Sequence, residues 1–233
     1  MNPYAVLAAA AARWERIAGL LGPVPLERLA GLLREARRDG GPAATGARAE
    51  ETGERRHAAA LDAAELLTAG LPGLFGPDPQ GRFTPAVPRP GEGAWSAIHQ
   101  GYSADDLAVL LLDGHRMVGP LLGPVRRRLL AAPAMDPDTL RRAGTDPDTP
   151  VLIRLTGAGG AVRLPSFQFT AAARPQPIVT GVNAVLAADR DPWGAADWWL
   201  SANAWLGGRP EALVGTADEA RLLDTARFLM EQE

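Results

Sequence analysis

His57, His99 and His115 are the only imidazoles in this chain of 233 residues. A metal site on a helix needs ligands three or four positions apart, and no pair of these histidines has that spacing. His115 follows an apolar stretch and lies close to Asp113, which places it in a turn. All three are read as solvated loop histidines. Asp136, Asp138, Asp146 and Asp148 form an acidic stretch that invites a calcium reading. It lacks the glycine at the sharp turn and the closing glutamate of an EF-hand loop. Helix caps and Asp-Pro turns account for it. The run Gly157-Ala158-Gly159-Gly160 has neither the G-x-G-x-x-G pattern nor the lysine of a phosphate loop. A hairpin turn explains it. No G-x-S-x-G nucleophile elbow occurs. The absence of cysteine removes disulfides, thiol catalysis, iron–sulfur clusters and cysteine zinc sites. The expectation is a non-enzymatic protein with no cofactor and no metal.

Arg126-Arg127-Arg128 is the one basic cluster. Consecutive helix positions point in different directions, so three neighbours make no stripe. Arginine near a helix end also complements the helix dipole. A solvated helix end is therefore preferred over a nucleic-acid contact. The 24 basic residues are all arginine, yet the formal net charge is −3, so bulk charge gives no reason to expect nucleic acid. Tryptophan is more informative. Four of the six tryptophans, Trp193, Trp198, Trp199 and Trp205, fall in one short segment. Trp198 and Trp199 are adjacent and diverge by about 100° on a helix. Such density marks either a compact core or a protein-binding face, since tryptophan and arginine concentrate at interface hot spots.

The elements that must position these residues are mostly helical. Asn2 reads as an N-cap with Pro3 at the first helical position. Val6, Ala10, Trp14, Ile17 and Leu21 then recur at helical spacing. Gly22-Pro23 stops that helix and Pro25 opens a second, so residues 1–38 read as a helical hairpin. Residues 39–53 show no periodicity and read as a flexible linker. Residues 54–150 read as a helical region with long Pro/Gly-rich loops. It holds helices over 54–69 and after a capping box at Ser103 and Asp106. Another covers 118–132, with Pro120 in its first turn and a kink at Pro124. Residues 151–155 and 161–164 alternate around the glycine run and predict one β-hairpin. Helices follow over 177–189, from an Asp191 cap, and from a capping box at Thr216 and Glu219. The fold class is thus mainly α: helical, bundle-like domains with one small hairpin before a C-terminal helical domain. The apolar run 5–12 is too short to span a bilayer and is followed at once by Arg13 and Glu15. A cytoplasmic protein without a membrane segment fits.

Several residues in 151–233 form a connected pattern. Pro165, Phe167, Gln168 and Phe169 follow the hairpin, and Trp193 and Trp199 share the next capped helix. Asn203, Leu206-Gly207-Gly208-Arg209-Pro210 and a closing helix complete it. Together they resemble the toxin-binding domain of Xre/MbcA/ParS-type antitoxins. That family shows a Pro-x-Phe-Gln-Phe element, a tryptophan-containing helix, a Gly-Gly-Pro turn and a final helix. The turn here is one residue shorter between Gly208 and Pro210. The resemblance implies a non-enzymatic protein that binds and blocks a RES-type, NAD-degrading toxin, with its last helix at the toxin's active-site entrance. It also implies assembly as a homo-oligomer. The candidate partner-binding residues are Trp198, Trp199, Trp205, Arg209, Phe228 and Met230. Pro165, Phe167, Gln168, Phe169, Trp193, Gly207, Gly208 and Pro210 are structural. Many relatives add an N-terminal helix-turn-helix that binds promoter DNA. Residues 105–130 come nearest to one, but Pro120 and Pro124 sit where a recognition helix would run. An alternative is an adaptor that uses the same domain to dock into a larger assembly.

Overall fold

The computed structural model describes residues 2–37, 47–75 and 98–231. The chain divides into two compact units, Met1–Pro124 and Val125–Glu233. Among the described residues, the fold is mainly α with two small sheets.

Unit 1 begins with helix α1 (Pro3–Ala12), capped as expected. The Asn2 Oδ1 accepts from the N–H groups of Tyr4 at 3.1 Å and Ala5 at 3.4 Å. Arg13 interrupts the helix, and α2 (Trp14–Leu20) follows before α3 (Pro23–Arg37) and α4 (Ala47–Gly70). Leu7, Ile17, Leu29, Leu33, Leu67 and Leu107 fill the core. Ala8 to Ala11 and Ala59, Ala60, Ala63 and Ala64 are all buried, and side chains this small let helix backbones approach closely. The expected hairpin over 1–38 does not form as a pair. α3 packs on α4, while α1 packs on α4 and on α5 (Ala104–Leu111). The expected linker also shortens. Residues 47–53 are the first turns of α4, where alanine, arginine and glutamate favour helix. Residues 39–46 lie outside the described residues. Burial pushes the Tyr4 phenol above its ordinary value, and the Arg56 guanidinium pulls it partly back. Arg37 clamps α5 from both ends, at 3.1 Å to Asp105 and 2.9 Å to Asp113.

A ladder absent from the sequence expectation precedes α5. β1 (Ile98–His99) pairs antiparallel with β2 (Tyr102–Ser103). Two-residue strands carry too little alternation to be read. The Ser103–Asp106 capping box of α5 is present, with the Ser103 N–H on Asp106 at 2.8 Å. Helix α6 (Gly119–Ala131) starts at a glycine with φ +76°. A Cβ there would lie 2.6 Å from Cζ of Tyr102. Gly119→Ala should therefore lower the stability of unit 1 by about 2 kcal/mol through strain and overlap. A urea titration followed by circular dichroism reads this, and an unchanged midpoint would refute it.

Unit 2 begins inside α6. β3 (Ala134–Met135), β4 (Leu155–Thr156) and β5 (Val162–Pro165) form a sheet in the order β3-β5-β4, both pairs antiparallel. The expected domain boundary at 150/151 thus falls too late. β3 pairs with β5, and Leu140 of α7 (Pro137–Arg142) joins Leu152, Leu164 and Phe169 in one cluster. The expected hairpin is present but shorter, since residues 151–154 are not strand. α8 (Pro177–Val185) stops before residue 189, turning at Ala187 with φ +49°. α9 (Pro192–Leu200) is capped by Asp191, whose Oδ1 accepts from the Gly194 N–H at 2.8 Å. The capping box at Thr216 and Glu219 is not formed. The Glu219 carboxylate accepts from the Gly215 N–H at 3.0 Å, and the Thr216 hydroxyl donates to the Leu213 carbonyl at 2.7 Å. Those bonds hold a turn, so α10 begins only at Ala220 and runs to Met230.

The acidic stretch is spent on caps and arginines. Asp136 caps α7, accepting from the Thr139 N–H at 2.8 Å and its hydroxyl at 2.7 Å. Asp138, Arg141, Asp148 and Arg154 form a chain of ion pairs. The bonds from Thr139 hold the Asp136 carboxyl below its ordinary range. A lowered carboxyl pKa stabilises the fold above the unfolded value of about 3.9, and that stabilisation is lost as pH falls through the folded value. Asp136→Ala should therefore melt below wild type near neutral pH, with the gap closing in acid. Melts across that range test it, and a gap independent of pH would refute it.

Candidate functional site

Unit 2 is organised around a buried chain of neutral polar groups. Gln168 and Asn183 are both fully buried, as is Trp199. The Gln168 carboxamide oxygen accepts from the Ile153 N–H at 2.7 Å, and its nitrogen donates to the Ile153 carbonyl at 3.0 Å. Asn183 Nδ2 donates to the Val151 carbonyl at 2.8 Å and to Gln168 at 3.1 Å. The Trp199 indole N–H donates to Asn183 Oδ1 at 2.8 Å. Side-chain amides thus take the place of a strand ladder along 151–153, which is why the hairpin is shorter than its alternation suggests. Phe167 packs on Trp199 at 5.1 Å between ring centroids. Pro165 and Phe169 are buried beside this chain, and Trp193 is half-buried against the same core as Trp199.

Trp199 was expected at the partner face, and the structure puts it in the core instead. Its indole N–H is the buried partner of Asn183, so it has no surface to offer. Trp198 stands edge-on to it at 5.0 Å and is half-buried. Arg209 is exposed, and the exposed apolar members are Trp205 at 58%, Phe228 at 47% and Met230 at 41%. Trp205 sits on a rigid turn. The Asn203 side chain accepts from the N–H groups of Trp205 at 3.0 Å and Leu206 at 3.2 Å. Asn203 also exchanges backbone bonds with Gly208 at 2.8 Å and Gly207 at 2.9 Å. Gly207 has φ +74°, which its neighbour Gly208 does not need. Pro210 is buried and opens a short 3-10 turn. Arg221 of α10 donates to the Trp205 carbonyl at 2.8 Å. The rings of Trp205 and Phe228 lie 5.9 Å apart, edge to face. α10 buries Leu222 and Ala226 and turns Phe228 and Met230 outward.

Arg209 does not join this pair. It lines a shallow pocket of about 290 Å³ with Arg128, Leu200 and Glu211, and lies 3.6 Å from Glu211. Arg128 is occupied by Asp197, by Ser201 at 3.1 Å and by the Leu200 carbonyl at 3.1 Å. Arg126 is buried and Arg127 exposed, so the triple arginine diverges and forms no basic stripe. Asn183 is the residue that the sequence reading missed. Its signal was a lone amide between Val182 and the other apolar positions of α8.

No metal-binding arrangement of three or more histidines or carboxylates occurs among the described residues. Only His115 is in a loop: His57 is half-buried on α4, 3.4 Å from the Tyr4 hydroxyl, His99 is half-buried in β1, and His115 Nδ1 accepts from the Met117 N–H at 3.0 Å. No described helix is long and apolar enough to cross a membrane. No family model, curated protein or solved structure matches the chain.

Proposed function

We propose that this chain is a non-enzymatic, antitoxin-like protein that sequesters a RES-type NAD-degrading toxin through Trp205, Phe228 and Met230. The observation that carries the reading is the Trp205–Phe228 pair, two large aromatics left exposed on a turn and a helix that hydrogen bonds hold rigid. Large aromatics dominate interface energetics, and a rigid anchor loses little entropy on binding. The motifs that resemble the antitoxin domain all lie within unit 2. The reading includes self-association into a homo-oligomer and residence in the cytoplasm. Co-expression with a RES-domain toxin should restore growth and cellular NAD, and the two chains should co-purify. Absence of both rescue and co-purification would refute it. A second reading, an adaptor docking into a larger assembly, is favoured by one observation. Unit 1 has its own core and lies wholly outside the resemblance. A pull-down that recovers assembly proteins and no toxin would select that reading.

A further inference from the structure

Unit 1 contains a cleft of about 1050 Å³ among α1, α2, β2, α5 and the segment before α6. It is an open cleft, with a volume slightly above the range of about 300–1,000 Å³ usual for small-molecule sites. Among the described residues, two aromatic rings line it, Trp14 and Tyr102, together with Arg13, Arg16, Arg116 and one acid, Glu15. Three guanidiniums against one carboxylate make a locally positive cleft in a chain whose net charge is −3. Two of the groups are positioned in advance. Arg13 donates one N–H to the Leu74 carbonyl at 2.7 Å, which orients its fork and leaves its other donors. Tyr102 is seated against Gly119, where no side chain could fit. Arg116 and Glu15 meet across 3.9 Å, both almost fully exposed. Such a pair is weak, so an incoming anion can take Arg116 from Glu15 at little cost.

We propose that this cleft binds a small aromatic anion, a flat ring bearing a carboxylate, phosphate or sulfonate. The rings of Trp14 and Tyr102 take the flat apolar part, and guanidinium pairs with oxyanions by charge-assisted hydrogen bonds. The proposal is independent of the toxin-binding reading, since it rests on unit 1 alone.

The test uses the full chain and 8-anilinonaphthalene-1-sulfonate, a fluorescent aromatic anion. Saturable one-site binding is expected, displaced by 2-naphthoate and weakened by added salt. Arg16→Glu combined with Arg116→Glu should weaken it by about tenfold or more. Both side chains are exposed, so the fold should survive. If circular dichroism shows otherwise, Arg16→Gln with Arg116→Gln replaces that variant. Trp205→Ala with Phe228→Ala should leave the affinity unchanged, which separates the cleft from the aromatic pair of unit 2. The proposal is overturned by absent or unsaturable binding, or by equal affinity for the uncharged N-phenyl-1-naphthylamine. It is also overturned by displacement with an oligoglutamate peptide but not with 2-naphthoate, or by loss of binding in the Trp205/Phe228 variant alone.

Discussion

Replacing Asn183 with alanine is expected to lower the unfolding free energy of unit 2 by about 4 kcal/mol. The side chain is fully buried and serves three partners: the Val151 carbonyl, Gln168 and the Trp199 indole. Its loss leaves the Trp199 N–H and the Val151 carbonyl unpaired away from water. Each orphan costs about 1–3 kcal/mol, and the missing amide adds a cavity. Domains are stable by only about 5–15 kcal/mol, so this is a large fraction. Gln168→Ala should be comparably severe, because both backbone groups of Ile153 lose their partner. The groups are neutral amides and an indole, so the deficit should not vary between about pH 5 and pH 9. Urea titration by tryptophan fluorescence reads the loss as a lower midpoint. A double-mutant cycle of Asn183→Leu with Trp199→Phe should show a coupling of at least about 1 kcal/mol. A loss below about 1 kcal/mol for Asn183→Ala would mean that the chain is not what holds 151–153 to α8 and α9.

The same chain explains which parts of the molecule could be read from the sequence. Caps at Asn2, Ser103 and Asp191 were legible because each bond closes within three residues. The β4–β5 hairpin was legible for the same reason, its turn lying between the strands it joins. β3 was not, because it pairs across an intervening helix and its two residues carry no alternation. Thr216 and Glu219 had the right spacing for a cap, but the Thr216 N–H is taken by the Leu213 carbonyl and Glu219 accepts from the Gly215 N–H instead. The tryptophans show the limit best. Helical spacing says that Trp198 and Trp199 face apart, but not which of them faces inward. That choice depends on Asn183, which sits on another helix and offers the only acceptor Trp199 uses. Of the residues expected at a partner face, Trp205, Phe228 and Met230 are exposed at the turn and last helix. Trp199 is buried, and there a distant hydrogen bond decided the outcome.

Truncating the aromatic pair should do the opposite of truncating Asn183. On the proposed antitoxin reading, Trp205→Ala with Phe228→Ala is expected to weaken binding to a RES-type toxin by about 100-fold or more while leaving the fold nearly intact. Interface hot spots lose about 2 kcal/mol or more each when a large aromatic is removed, and two of them exceed a 100-fold change in Kd. The cost to the free protein is small because both rings face solvent. Their mutual edge contact, worth about 0.5–1.5 kcal/mol, is lost together with the contacts of the covered part of each side chain. The turn itself does not need the indole. Asn203 holds the backbone at Trp205 and Leu206, and Arg221 bonds the Trp205 carbonyl, which alanine retains. Isothermal titration against the toxin gives the affinity, and a urea titration of the same sample gives the stability. Arg221→Ala supplies a graded case. It leaves both rings in place but frees the turn from α10, so binding should weaken less than on removing the rings. Full binding by the double-alanine variant would end the claim for this face. Loss of binding together with loss of fold would mean that the rings belong to the core, against their exposure. Only loss of binding with the fold retained fits two rings held ready for a partner.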